Sequence, residues 1–421
     1  MRHTPTARSL AIEILARVRS TDAYLNVVLD SMLDERVLAD ARDAAFVTEL
    51  CYGTTRRQLT LDFLLIKLAD RKLDSIEDRV LAALRLGLYQ LFYMRVPKHA
   101  AVADTVESLK AVGLQRAVGF VNAILRKASN LDRIATDEVS DEIKRLSIEH
   151  SHPEWLVRRW FRQFGAQTAQ SMLLADNEAP SVVIRTNGSR MTRDALMIQM
   201  REAGVQVQPT RFSPVGLVLE SPGKIEDLYG YREGLWQVQD EAAQLVSLYA
   251  QLQPSARVLD ACAAPGGKAC HLAETNSVVA IDLHANKLPK ILAEARRLGV
   301  AERLRTHAVD ATKPLPESLG EFDAVLVDAP CSGLGTLRRH PELRYRRSES
   351  DLSSLATLQR QIVERCQSVV KPGGLLVYAV CSTDLVEGQD QIDMFLRSHP
   401  DFTAEPPVDQ AQFPTSQGHL R

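Results

Sequence analysis

No apolar run in the 421-residue sequence approaches the roughly 20 residues needed to cross a bilayer, so no membrane-spanning helix is expected. The first segment, "MRHTPTARSLAIEILARV", carries Arg8, Glu13 and Arg17 through its apolar positions, unlike the core of a secretory signal. A cytoplasmic protein without a membrane partner is expected. An excess of one charge is also lacking: 51 Lys and Arg stand against 53 Asp and Glu, for a net charge of −2. Nothing global therefore calls for nucleic acid, and any polyanion site must be a local patch. Cysteine is scarce, with Cys51, Cys262, Cys270, Cys331, Cys366 and Cys381 and no C-x-x-C pair. That fits neither a disulfide framework nor a zinc site, and no metal is expected.

Two nucleotide-binding loops are missing as well. In "DACAAPGGKAC" (260–270) a phosphate-binding loop would need Gly at 262 and Ser or Thr at 269, where Cys262 and Ala269 stand. The G-x-G-x-x-G cradle for a pyrophosphate is absent too, which argues against NAD and FAD.

The length suggests roughly three domains. Up to about residue 130 the apolar period is helical: Leu10, Ile14 and Val18, then Leu81, Leu84, Leu88, Leu91 and Phe92. We place an all-helical domain over 1–138, with the polar "ASNLDRIATDEVSDE" (128–142) as linker. In "HPEWLVRRWFRQFG" (152–165), interleaved aromatics and arginines read as core packing with a basic outer face rather than an RNA-stacking surface. Then "SVVIRT", "VQVQPT" and "GLVLES" surround a helix with Thr192 as N-cap, giving a small α+β module over 139–235. Over 236–421 the apolar strands "RVLDAC", "VVAID", "LRTHAVD", "FDAVLVD" and "GGLLVYAVCS" alternate with amphipathic helices. This predicts an α/β Rossmann-like domain with a mostly parallel sheet and its ligands at the carboxyl ends of the strands.

The informative residues stand at those ends. Gly266 and Gly267 allow close backbone approach to a polar ligand where a helix opens. Asp282 follows the first strand by about 20 residues, where an acid accepts hydrogen bonds from ribose hydroxyls. Asp310 is placed to face an adenine amino group. A ribose and a base without a pyrophosphate point to S-adenosylmethionine. Aspartates at strand ends also cap helices, but four of them (260, 282, 310, 328) favour the ligand reading.

Two strands end on thiols, in "VLVDAPCSGLG" and "LLVYAVCS". A methyl acceptor that needs cysteine is pyrimidine C5, which becomes nucleophilic only after something adds at C6. A thiolate can add there, and a base must then remove the C5 proton before the thiol is eliminated. Lys268, the sulfonium or the arginines after Cys331 are candidates to ionise the thiol. Asp328, if burial raises its pKa, is placed to hold a proton on cytosine N3 and drain charge from the ring. The residues alone do not rank Cys331 and Cys381. The other four cysteines read as structural. "LRRHPELRYRR" (337–347) concentrates Arg338, Arg339, Arg344 and Arg346 beside the site, and these are expected to contact phosphates.

With "DACAAPGGK", "DAPCSGLGTLRRHPE" and "YAVCS" in order, the C-terminal part resembles the Sun/Fmu class of RNA cytosine-C5 methyltransferases. With "LRLGLYQLFYM", "PKHAAVADTVESLK" and "GFVNAILRK", the N-terminal part resembles the NusB-like domain of the bacterial enzymes that methylate small-subunit (16S) ribosomal RNA. The resemblance implies that residues 262–268 (Cys262, Ala263, Ala264, Pro265, Gly266, Gly267 and Lys268), with Asp282, Asp310 and Asp328, bind S-adenosylmethionine. It further implies Cys381 as nucleophile, Cys331 in product release, 16S ribosomal RNA as partner with cytosine 967 as target, no DNA, and a monomer. DNA enzymes of related chemistry attack with the cysteine of a Pro-Cys motif, which keeps Cys331 as the alternative nucleophile. A non-catalytic RNA-binding factor is the reading from another class; both thiols and the acidic strand ends stand against it. Three departures stand out: Val380 for the family's Thr, Ala269 for Thr, and Gly388 for Asn. After "DFTAE" the chain runs to "PTSQGHLR" without an aromatic closing strand, which is expected to leave "DFTAE" unpaired in the sheet.

Overall fold

Leu10, Ile14 and Val18 lie one helical turn apart, and in a computed structural model of the protein all three are buried on the helix Ala7–Ser20. Thr6 caps this helix by accepting from the Ser9 amide at 3.1 Å. The structure describes residues 6–21, 23–35, 41–220 and 223–405. Helices Leu25–Glu35, Ala41–Arg56, Gln58–Ala69, Asp78–Tyr93, Lys98–Ala111 and Val118–Ser129 follow. Asp78–Tyr93 is apolar nearly all round, as a helix at the centre of a bundle must be, and buries Leu81, Leu84, Leu88 and Leu91.

The chain forms two compact units, dividing between Ala179 and Pro180. The helices Glu142–His150 and Glu154–Ala175 belong to the first of these units. Trp160 is buried while Arg158 and Arg162 are exposed, as expected for packing with a basic outer face. Residues Thr336–Glu349 also belong to this unit.

The second unit holds two sheets. Strands β1 (Val182–Thr186), β2 (Val207–Pro209), β3 (Gly216–Leu219) and β4 (Trp236–Val238) form an antiparallel sheet in the order β2-β3-β1-β4. The helix Arg193–Glu202 packs on it, with Thr192 accepting from the Ala195 amide at 3.3 Å. Arg185 on β1 is fully buried and pairs with Glu274 and Gln239, which ties this sheet to the next one.

Strands β5 (Arg257–Asp260), β6 (Ser277–Asp282), β7 (Leu304–Ala308), β8 (Phe322–Asp328) and β9 (Val370–Ala379) form a parallel sheet in the order β7-β6-β5-β8-β9. Alternate residues face opposite sides. Val258, Ala280, Ala324 and Leu326 join one core with the helices Gly267–Leu272 and Leu288–Leu298. Leu259, Ile281, Val325 and Val327 join another with Ile362, Val363 and Cys366 of the helix Glu349–Cys366. Residues 402–405 form no strand. "DFTAE" is thus not an unpaired strand: Phe402 turns back to meet the Phe395 ring edge-on, centroids 5.1 Å apart. "PTSQGHLR" lies outside the described residues.

Candidate active site

The strand order brings the predicted residues to one edge. Asp260, Asp282 and Asp328 are the last residues of β5, β6 and β8, and Asp310 stands two residues beyond β7. Neighbouring β8 and β9 pair Asp328 with Ala379 and keep pairing beyond their ends. The Ala329 amide donates to the Ala379 carbonyl at 2.9 Å, and the Gly335 amide to the Cys381 carbonyl at 2.9 Å. A Cβ on Gly335 would sit 3.0 Å from that carbonyl oxygen, so glycine is what permits the approach. Held side by side, Cys331 and Cys381 bring their sulfurs to 3.2 Å. Two strands end on thiols because the strands are neighbours and the thiols face each other.

The pair is asymmetric. Cys331 is pushed well above its ordinary pKa, first because it donates its S–H to Cys381, then by burial and by the charges of Cys381 and Glu387. Cys381 is lowered by accepting that bond, with Lys268 helping and burial and Asp328 opposing. The exposed Cys381 sulfur is thus favoured as thiolate and the Cys331 sulfur as thiol. The 3.2 Å separation is the same for either donor; what favours Cys381 as the thiolate is its exposure and the nearby Lys268.

Lys268 donates to Asp328 at 2.6 Å. The Asp328 side chain is 31% exposed, not the buried carboxyl that the sequence reading had supposed. Asp282 accepts from the amides of His284 (2.9 Å) and Ala264 (3.2 Å), which fastens the 262–268 loop to the end of β6. Asp310 is held below the usual carboxylate range by hydrogen bonds from the hydroxyl and amide of Thr312, at 2.6 and 2.9 Å. Gly266 adopts φ +106°, which an L side chain rarely reaches, and a Cβ there would stand 3.0 Å from Ile291. Four carboxylates around a glycine-lined loop suit a ligand that carries a sulfonium, an amino group and a ribose diol. The residues fit S-adenosylmethionine.

Asp260 is the most buried of the four, and neither carboxyl oxygen has a full hydrogen-bond partner. Burial, then the nearby Asp328, raise its pKa to about 7, with Lys268 opposing. The native state keeps this proton where an unfolded chain, with the ordinary value of 3.8, has lost it. The stability it contributes is complete below pH ~4 and is lost as pH rises toward 7. At about 1.36 kcal/mol per pH unit the loss amounts to roughly 4 kcal/mol. Asp260→Asn removes the titration, so its stability relative to wild type should rise by roughly 3 kcal/mol between pH 5 and pH 8, the two pH units of the loss that lie between pH 5 and 7. Urea unfolding at the two pH values measures it, and parallel behaviour of the two proteins would refute it.

Of the remaining cysteines, Cys51, Cys270 and Cys366 are buried, and burial pushes the thiols of Cys270 and Cys366 up to about 12. Cys262, half-buried, is also raised. Val380 packs against the β8 core, and the helix Gln389–Ser398 starts at Gly388 with no side-chain cap.

Comparison with known proteins identifies the family. The chain is 35% identical over 403 residues to the probable ribosomal RNA small subunit methyltransferase B of Bacillus subtilis, covering 94% of this chain and 89% of that one. It is 37% identical to ribosomal RNA small subunit methyltransferase B of Pseudomonas syringae pv. tomato, covering 92% and 86%. Residues 247–418 match the family model of 16S rRNA methyltransferase RsmB/F. The chain belongs to the RsmB/F family of 16S rRNA methyltransferases. As a member of the RsmB/F family it is a methyltransferase with S-adenosylmethionine as methyl donor. Residues 5–130 match the NusB family, and 152–226 the ferredoxin-like domain of RsmF/B-like proteins. The fold is shared with the crystal structure of PH0851, with TM-score 0.83, 23% identity and coverage of 97% and 94%. A methyltransferase homologue from Pyrococcus horikoshii aligns with TM-score 0.55 and 25% identity, over 62% of this chain and 83% of that one.

In this RsmB/F chain the arginine run does not serve as the sequence reading had it. Arg344 is fully buried, and its guanidinium donates to the carbonyls of Arg56, Ser151 and Asp176 and to the Asn177 side chain. Arg346 donates to the carbonyls of Val18, Thr21 and Ala23 at 2.8 to 3.2 Å. Burial and these bonds take Arg344 out of the phosphate-contact set, while Arg346, half-buried, commits Nη2 to backbone carbonyls. Arg338 pairs with Glu178 at 3.2 Å and donates to the Ala179 carbonyl at 2.9 Å, while Arg339 is half-buried. The sequence reading also missed Glu387, Gln359 and Tyr378. Gln359 lies on the buried face of the helix Glu349–Cys366 and Tyr378 on β9, but a polar residue at such a position carries no sign of its partner, and only the return of the chain beside Cys331 gives the three a role.

Proposed function

We propose that the protein methylates C5 of a cytosine in 16S ribosomal RNA, by family resemblance cytosine 967, through a covalent bond between Cys381 and C6. The observation that carries this reading is the pair of facing sulfurs, one favoured as thiolate and the other as thiol, at the strand ends beside the acidic loop. S-adenosylmethionine, held by the 262–268 loop with Asp282, Asp310 and Asp328, supplies an electrophilic methyl group.

In this reading the Cys381 thiolate adds its electron pair to C6, and the C5–C6 π pair displaced onto C5 forms the new bond to the methyl group, whose former bonding pair stays on the donor sulfur. Asp328 is assigned to hold cytosine N3, a role supported by Lys268, which donates to one of its oxygens at 2.6 Å and keeps it fixed. Once a base has removed the C5 proton, C5=C6 re-forms and the C6–S bond breaks, returning the pair to sulfur. A thiolate leaves faster when its charge is stabilised, and the Cys331 S–H at 3.2 Å provides a hydrogen bond for it. This supports Cys331 in product release, while Arg338 and Arg339 are retained as phosphate contacts.

The test is incubation of the protein with unmodified small-subunit ribosomal RNA and methyl-labelled S-adenosylmethionine, followed by nucleoside digestion and bisulfite sequencing. Label is expected in 5-methylcytidine at one position, with none in DNA of the same sequence. Label in any other nucleoside would overturn the reading.

A further inference from the structure

Glu387 is a fully buried carboxylate, and such a charge persists only if its oxygens are supplied with donors. Here there are four. One oxygen accepts from the Ser332 amide at 2.8 Å and from Gln359 Nε2 at 3.0 Å. The other accepts from the hydroxyls of Ser332 and, at 2.5 Å, Ser382. Ser332 and Ser382 directly follow Cys331 and Cys381. Their own hydroxyl oxygens lie 3.1 Å apart, parallel to the 3.2 Å approach of the sulfurs. Gln359 Nε2 also donates to the Pro330 carbonyl at 3.0 Å, and the Tyr378 hydroxyl donates to the Glu387 carbonyl at 2.6 Å.

We infer that Glu387 is the positioning residue for both thiols, one carboxylate gripping the residue after each cysteine and so fixing the register in which the two sulfurs meet. This rests on the proposed roles of Cys381 and Cys331 for its catalytic meaning, although the positioning itself is a property of the chain alone. Glu387 touches neither sulfur and acts through Ser332 and Ser382. A carboxylate suits the task because its two oxygens accept four bonds without donating any. Glutamine in its place removes the charge and turns one acceptor into a donor, so the two serine hydroxyls that grip that side must turn from donating to accepting.

Two measurements test the inference separately. Diamide takes two electrons and two protons from the thiols and leaves a disulfide. The sulfurs need to close only by about 1 Å to bond. The rate of Cys331–Cys381 disulfide formation, read by peptide mass mapping without RNA, therefore reports their register. Glu387→Gln, and independently the double variant Ser332→Ala with Ser382→Ala, are expected to slow it at least about tenfold. In methyl transfer both variants should lose about 10²-fold in kcat, as for a misplacement of about 1 Å, with KM for S-adenosylmethionine nearly unchanged. Should Glu387→Gln fail to fold, the double serine variant carries the test. Wild-type disulfide rates in the folded variants overturn the inference. A slowed disulfide in a protein that does not methylate cytosine upholds the positioning and rejects the proposed function instead.

Discussion

Cys381→Ala is expected to lose methyl transfer by on the order of 10³-fold or more and to form no RNA adduct, whereas Cys331→Ala should accumulate a denaturation-resistant protein–RNA adduct. The difference follows from which sulfur bears the electron pair. Cys381 is favoured as thiolate by its exposure and the nearby Lys268, and Cys331 is held as thiol by the bond it donates. Without Cys331 the attack still occurs, but the departing sulfur has lost its hydrogen bond, so the adduct outlives a turnover. The same change moves the pH dependence of the attack. Removing the bond that most lowers Cys381 raises its pKa, so adduct formation in Cys331→Ala should reach half its maximal rate at higher pH than wild type. Single-turnover mixing with labelled RNA and denaturing gels measure both. Adduct in Cys381→Ala and none in Cys331→Ala would reverse the assignment and make Cys331 the nucleophile.

What could be read beforehand, and what could not, divides along a physical line. Strands and helices follow local periodicity, so the five parallel strands and the burial of Leu10, Ile14 and Val18 were legible in residue spacing alone. The strand-end acids and thiols were legible because chain polarity in a parallel sheet puts every strand's carboxyl end on one side. The order β5-β8-β9 was not written in any one segment, and with it came the contact of Cys331 with Cys381 and the grip of Glu387. The arginine run failed for a different reason. A guanidinium recognises phosphate oxygens and backbone carbonyls through the same donors, and carbonyls leave no mark in a sequence. A cluster of arginines therefore reads as a polyanion site whether its targets lie on RNA or in the chain's own backbone.

Arg344 makes that distinction measurable. The Arg56 carbonyl ends the helix Ala41–Arg56, Ser151 is the C-cap of Glu142–His150 with φ +59°, and Asp176 is the C-cap of Glu154–Ala175. One buried cation thus closes three helix C-termini, where unpaired carbonyls concentrate negative potential. Two residues earlier, Glu342 accepts from the Leu25 amide at 3.0 Å, an acid at the N-terminus of Leu25–Glu35, so the segment matches its charges to helix ends of both kinds. Replacing Arg344 with Met keeps much of the volume and leaves three carbonyls without their donor. The expected cost is about 3–5 kcal/mol, the order found when one partner of a buried charged network is removed. For a unit of this size each kcal/mol lowers Tm by roughly 2–4 °C, which makes the shift large. Arg344→Lys should recover only part of it, since an ammonium cannot span the positions that the planar fork reaches. Arg339→Gln provides the contrast: under the proposed phosphate contact it should lower the slope of RNA affinity against salt by about 0.7. If Arg344→Met instead melted like wild type and changed only the salt slope, the buried cap would be the wrong account and the phosphate reading would be restored.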